Sequence, residues 1–433
     1  MPTLMAPQAM PAQGEGEPSM ASSPSEAQHQ PTWCASFFAA TLVAWQRAHG
    51  RTGLPWQNTT DAYRIWVSEI MLQQTQVATV TGYYLRFLAR FPTVETLASA
   101  SLDEVLAQWS GLGYYRRARL LHACAIAVCR QHDGRFPQEP EVLQRLPGIG
   151  RSTAAAIAVF SFQRRAAILD ANVRRVLSRF FALEHPTGGT RMEKQLWALA
   201  ESLVPEASDA AIYTQALMDL GATCCVARQP QCSHCPLAQA CRARAAGDPS
   251  RYPKARVRPP LPHRAWDFLL VRMHDLILLR RRPDHGIWPA MWCLPELHPE
   301  VCATQATDAA GCDIQAHPAQ RRGRRHRLAE PTATGDPLAG ARPAVCEWLF
   351  RAGLIDASDA AFGLDQWTTI DQSFTHFHLR ARVWRVELIA VTPGQGVLAA
   401  APQGCRWVRS QEALGMGIPA AMRRLLQGLD RGG

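Results

Sequence analysis

Four cysteines, Cys225, Cys232, Cys235 and Cys241, fall within seventeen residues at the spacing Cx6Cx2Cx5C. Such a density of soft thiolates in one short loop predicts a metal site, around which any fold of this chain must close. Pro230, Pro236 and the polar Gln and Ser residues between the cysteines argue against a stretch of ordinary buried hydrophobes. Zinc sites usually join two close pairs across a longer finger, whereas three irregular gaps wrap one loop as a cubane iron-sulfur cluster requires. The spacing favours iron-sulfur, with zinc as the alternative. Cys224 stands beside the first thiolate, so the choice of Cys225 rests on spacing alone.

A chain of 433 residues is long enough for two or three domains, each with its own core. Its formal charge of +10 comes from arginine far more than lysine, the side chain suited to bidentate phosphate contacts. Nucleic acid is the expected partner. The clusters Arg116, Arg117, Arg119 and Arg174, Arg175, Arg179 are expected to form basic stripes on helices. The nine cysteines outside the loop have no regular spacing, which suits a reducing, intracellular compartment. No apolar run approaches a membrane span, and the N-terminus lacks a signal pattern.

Residues 1–31 lack periodicity and read as a disordered leader. From 32 to 245, apolar residues recur at three- and four-residue intervals between short Gly and Pro breaks, predicting an all-α domain of some ten helices that ends in the cysteine loop. A Pro- and Arg-rich linker follows over 246–264. The grammar then changes: Phe268–Val271, Leu276–Leu279 and Phe377–Val386 read as strands, predicting a mixed α+β domain over 265–430. Within it, 301–342 with its run Arg321, Arg322, Arg324, Arg325 and Arg327 reads as a flexible insertion.

LQRLPGIGRSTAAAIA, residues 143–158, is a helix stop, a turn on Gly148 and Gly150, and a new helix: a helix-hairpin-helix. Glycines at such a turn let backbone amides approach a phosphate, which binds DNA without reading sequence. Asp170, in ILDANVRRV, precedes a helical pattern, where cap amides and the helix dipole should hold it ionised. A carboxylate there can stabilise the sugar cation formed when a glycosidic bond breaks. Glu69, in IWVSEIMLQQT, has Ile65 and Trp66 one turn behind and Leu72 one turn ahead, so desolvation should keep it protonated near neutrality. The two would make an acid and an electrostatic stabiliser. Read alone, Asp170 is also a sufficient helix cap and Glu69 a buried structural carboxylate.

WVSEIMLQQTQVATV, GLGYYRRAR, LPGIGRSTA, ILDANV and MDLGATCC followed by the cysteine loop resemble, in order, the MutY-type branch of the helix-hairpin-helix DNA glycosylases. The resemblance implies a [4Fe-4S] cluster, a monomer, and removal of flipped adenine from duplex DNA opposite 8-oxoguanine or guanine. It makes Glu69 the acid that protonates adenine N7 and Asp170 the stabiliser of the oxocarbenium ion. It places Trp56 and Glu201 in the adenine pocket, and Gln74, Thr75 and Tyr114 in the elements that wedge into the duplex. Bifunctional relatives similar to endonuclease III carry a lysine where this chain has Ser152, and a hydroxyl forms no imine, which implies a monofunctional enzyme. Ala171 replaces the glycine common in the family's ILDGN.

Residues 265–430 resemble the Nudix-like domain such enzymes append, through WDFLLVRMHDLILLRRRPDHGIWPAMWCLPEL and SFTHFHL. A Nudix hydrolase needs a glutamate-rich helix for magnesium, and between Glu300 and Glu347 the only glutamate is Glu330. The resemblance thus implies a reader, with Thr375 and His376 contacting 8-oxoguanine. The rivals are an endonuclease III-like pyrimidine glycosylase and lyase, and a non-enzymatic iron-sulfur DNA-binding protein.

Overall fold

The computed structural model describes residues 34–184, 189–254, 259–297, 337–355, 362–388 and 400–429. The expected leader and the run Arg321–Arg327 lie outside the described residues. The described residues of 34–245 are helical and those of 263–429 mixed, as the patterning predicts.

The helices owe their ends to local chemistry. Asp61 accepts the amides of Tyr63 and Arg64 and starts the helix Ala62–Leu72, which carries Glu69. Ser101 and Glu104 cap Leu102–Trp109 reciprocally. Apolar faces then sort the helices into two cores. The first gathers Ile65, Trp66, Ile70 and Met71 with Phe87, Trp109 and Leu121; the second gathers Phe38, Leu42, Val173, Phe180, Leu196 and Leu217. The helix Arg151–Phe162 serves both. It turns Ile157 and Ala158 into the first core and Ala155 and Ala156 into the second, and the alanines let helices pack closely on two sides.

In the C-terminal half, strands β1 (His263–Met273), β2 (Leu276–Arg281), β3 (Trp292–Cys293), β4 (Phe362–Ser373), β5 (His378–Leu388) and β6 (Cys405–Arg409) form one sheet of order β3-β2-β1-β5-β4, with β6 on β2. The β1–β5 pair is parallel and runs in register from His263↔His378 to Arg272↔Glu387. Alternation along β1 divides its side chains between two cores: Leu269 and Val271 pack under the helix Pro337–Arg351, while Phe268 and Leu270 face the opposite way. Residues 337–342, expected as the end of a flexible insertion, are instead the first turns of that helix.

The face holding Phe268 and Leu270 is continuous with the first helical core through Ile418, Met422 and Leu426. Polar contacts fix this seam. Ser110 Oγ donates to the Ile418 carbonyl at 2.7 Å, and the Tyr115 hydroxyl accepts the amides of Ala420 at 3.0 Å and Gly111 at 3.3 Å. Among the described residues no helix is long and apolar enough to cross a membrane.

Candidate active site

Glu69 lies on a helix of the first core, and Asp170 caps Ala171–Phe180 of the second, so the two carboxylates meet where the cores abut. Burial, then the negative charge of Asp170, push the Glu69 carboxyl up to about 7. The first cause was legible in the flanking apolar residues; the second needed the fold. Glu69 keeps only a small accessible face. Asp170 accepts the Val173 amide at 2.7 Å, the expected cap. Yet burial outweighs it: the Asp170 carboxyl is raised from its ordinary value, against the pull of that amide and of Arg175. The cap alone does not set its ionisation, as the sequence had suggested.

Ser152 Oγ accepts the Leu169 amide at 3.0 Å, which ties the second helix of the hairpin to the residue before Asp170. In the hairpin turn, Gly148 has φ +77°, and a Cβ there would stand 2.8 Å from Leu120 Cβ, so glycine is required. Gly150 adopts ordinary extended backbone and caps Arg151–Phe162 with open space before it. The hairpin thus needs one glycine for packing and leaves room at the other.

Gln74 and Tyr114 are both exposed and both in the left-handed region, at φ +57° and +50°. Backbone strain of this kind persists only where surroundings impose it, and here the cause is Arg117. Its guanidinium donates to the carbonyls of Ile70, Met71 and Gln73 at 2.8, 2.9 and 2.6 Å, to Thr75 Oγ1 at 3.1 Å and to Gly113 O at 3.3 Å. One side chain therefore locks the end of the Glu69 helix, the Gln74–Thr75 turn and the Tyr114 loop together. Burial lowers the Arg117 pKa to about 10. Its role is inward, so Arg117 drops out of the expected basic stripe while Arg116 beside it stays exposed.

The second stripe fails for the same reason. Arg174 pairs with Glu193, and Arg175 reaches the carbonyls of Cys225 and Gly221. Arg179, 3% exposed, donates to the carbonyls of Tyr252, Cys225, Val226 and Ala227. Helical spacing alone cannot tell an outward arginine from one consumed by loop carbonyls.

These arginines wrap the cysteine loop. Arg179 Nη1 also lies 3.4 Å from Cys225 Sγ, and the Cys241 thiol donates to the Arg179 carbonyl at 3.7 Å. Cys235 is close enough to Cys225 and Cys241 to raise both thiols, after burial. Among the described residues no three ligating side chains converge as a single ion demands. A thiol-only donor set flanked by cationic guanidiniums suits a thiolate-bound cluster. Cys224 is buried and bonds to Gln231 O, and its thiol also lies against Cys235.

Trp56 is partly buried and packs edge-on against Tyr84 at 5.5 Å, facing the first core. Glu201 is the correction. It is exposed and ion-paired with Arg151 in a shallow depression with Arg164 and Arg165 that includes neither Glu69 nor Asp170. The helix Thr190–Ser202 buries Leu196 and Ala200 and turns Glu201 outward. Sequence reading also passed over Asp219, a fully buried carboxylate that accepts from Gln46, Gln215 and Arg51 and anchors the segment leading to Trp56. An aspartate in an otherwise apolar helix end, MDLG, was the available signal.

In the C-terminal half Thr375 and His376 form the exposed tip of the β4–β5 turn, with Thr375 Oγ1 and His376 Nδ1 2.8 Å apart. The turn closes by Phe374 N–H donating to Phe377 O at 2.9 Å and by stacking of their rings at 4.7 Å.

Residues 67–202 match the family model of the HhH-GPD superfamily base excision DNA repair proteins, and residues 267–428 match that of the NUDIX domain. The adenine DNA glycosylase of Buchnera aphidicola from Acyrthosiphon pisum is 35% identical over 259 residues, which cover 60% of this chain and 74% of that protein. Its counterpart from Buchnera aphidicola of Baizongia pistaciae is 38% identical over 260 residues, 60% and 73% of the two chains. The human adenine DNA glycosylase is 33% identical over 420 residues, 90% of this chain and 73% of that one, so the likeness spans both halves. At 33 to 38% identity over at least 73% of each of these relatives, this chain belongs to the adenine DNA glycosylases of base excision repair.

Proposed function

We propose that this glycosylase removes adenine paired with 8-oxoguanine or guanine, as a monofunctional enzyme. The observation that carries the reading is Glu69 held near 7 beside Asp170. A protonatable acid near neutral pH and a neighbouring carboxylate whose charge raises it can divide the work of breaking an N-glycosidic bond. Glu69 gives its proton to adenine N7; the C1′–N9 bond breaks with its electrons leaving on the base. Asp170 stabilises the resulting sugar cation. Water adds to C1′ and gives up a proton to a carboxylate, leaving free adenine and an abasic sugar.

Ser152, bonded to the Leu169 amide, offers no amine to the sugar, so the backbone stays intact. Trp56 would line the adenine pocket. Gln74, Thr75 and Tyr114, projected by the Arg117 clamp, would fill the gap in the stack, and the amides at Gly148 and Gly150 would take a phosphate. Glu201 has no place in this scheme. Thr375 and His376 would read the opposite base through the extra oxygen and N7 hydrogen of 8-oxoguanine.

Cys225, Cys232, Cys235 and Cys241 would hold a [4Fe-4S] cluster, which supplies a cross-link that closes the loop beneath the Asp170 helix. Arg175 and Arg179 then tie that loop to the helix.

The test incubates the protein with duplexes bearing adenine opposite 8-oxoguanine, adenine opposite guanine, or an oxidised pyrimidine, and scores base loss with and without alkali. Adenine release that yields strand breaks only after alkali is expected. Breaks without alkali would overturn the monofunctional reading, and excision of the pyrimidine would overturn the substrate.

A further inference from the structure

A cavity of about 430 Å³ opens in the C-terminal half between β1, β2 and the β4–β5 turn, and of its lining residues His376 alone has been given a role in recognition above. Six basic groups line it: Arg264, Arg280, Arg281, Arg282, His285 and His376. Against them stands one lining carboxylate, Glu296, and Arg282 already pairs with it. Arg281 is spent on Asp103 of the helical half, at 3.3 Å. Among the described residues Arg264 and Arg280 have no carboxylate partner. Arg264 instead lies 4.4 Å over the ring of Phe377, which fixes the plane of its guanidinium. Two uncompensated guanidiniums in a concave site, one of them preoriented, are suited to an anion with several acceptor oxygens.

Position says which anion. Arg119, five residues past Tyr114, donates to the Asp284 carbonyl at 2.7 Å, and Asp284 adjoins the pocket residue His285. The rim is thereby pinned beside the loop that carries the duplex-facing tyrosine. His376 itself lines the same pocket. An anion held here would sit between the wedge and the tip that meets the base opposite adenine.

We propose that the Arg264–Arg280 pocket binds a backbone phosphate of the DNA strand opposite the excised adenine. This rests on the reading of His376 as an opposite-base contact. The site positions that strand and carries no sequence information, since a phosphate is the same on every nucleotide.

The experiment measures affinity of the full-length protein for a duplex holding a non-cleavable adenine analogue opposite 8-oxoguanine, over a range of salt. Arg264→Gln with Arg280→Gln should flatten the slope of log affinity against log salt by about 0.9, the value for one lost phosphate contact. Lysine at both positions should restore it. A single neutral methylphosphonate, walked along the opposite strand, should weaken the parent protein at one position and leave the double variant unaffected there. An unchanged slope, or a methylphosphonate effect that persists in the double variant, overturns the proposal. So does binding of dGMP or inorganic phosphate that the double variant loses while its duplex binding stays whole, because the pocket would then serve free nucleotides. In parallel, Thr375→Ala with His376→Ala reports on the opposite-base reading. Lost preference for 8-oxoguanine with an unchanged Arg264/Arg280 slope sinks the pocket alone; unchanged preference sinks the reading beneath it.

Discussion

The two halves of this protein place the groups proposed for chemistry and for recognition differently. In the helical half the notable ones are buried and paired: Glu69 with Asp170, Asp219 with Arg51, Arg117 and Arg179 with carbonyls. In the sheet half the corresponding groups, Thr375, His376 and Arg264, lie at an exposed tip or rim. Burial shifts pKa values and fixes geometry, which bond-breaking needs. Exposure leaves donors free for a ligand, which recognition needs. The halves differ in what a mutation should cost.

The largest effect belongs to the buried pair. Glu69→Gln and Asp170→Asn should each lower single-turnover excision by about 10² to 10³ or more while duplex affinity stays within a few-fold. Near-normal rates in either variant would remove that residue from the chemistry and erase the contrast.

The same pair gives the comparison a pH signature. Excision needs protonated Glu69, so its rate should fall as pH rises through about 7, nearly tenfold per unit beyond it, and Glu69→Gln should abolish that limb. Stability moves in the same direction. The folded carboxyl keeps a proton that the unfolded one releases near its ordinary value of 4.5, so its contribution is full below that pH and lost as pH rises through about 7. At most about 3 kcal/mol is involved. Denaturant melts of the parent and Glu69→Gln at pH 5 and 8 measure it; a difference that does not grow with pH would place Glu69 in water.

Truncation at residue 260 should retain excision of adenine opposite guanine yet lose about 1 to 3 kcal/mol of preference for 8-oxoguanine. Thr375→Ala with His376→Ala should lose part of that preference. Rates on both mispairs for the three proteins check it, and discrimination that survives truncation would move recognition to Gln74, Thr75 and Tyr114.

The smallest effect tests whether the halves act as one body. Tyr115→Phe removes the hydroxyl that accepts from Gly111 and Ala420 and should cost about 1 to 3 kcal/mol of stability, since two amides lose a partner. Because Tyr115 follows Tyr114 in the loop, the loss should also blunt discrimination between mispairs. A variant with parent-like melting would show the seam to be held by its apolar contacts alone.

The sequence by itself determined what repeats or concentrates along the chain. The helical period, the alternating strands, the glycine turn at Gly148 and the packed cysteines are local patterns, so their elements formed where expected. Glu69 was legible because its desolvating neighbours lie within one turn of it. Tertiary structure alone decided where side chains point and what they meet. Arg117 and Arg179 carry the same spacing as surface arginines, but carbonyls from distant loops claim them. Glu201 faces water because its helix buries the other side, and Asp170 raises Glu69 only because two cores, a hundred residues apart in sequence, bring the carboxylates together. Hydrophobic period is a property of neighbours in the chain, whereas electrostatic partnership is a property of neighbours in space.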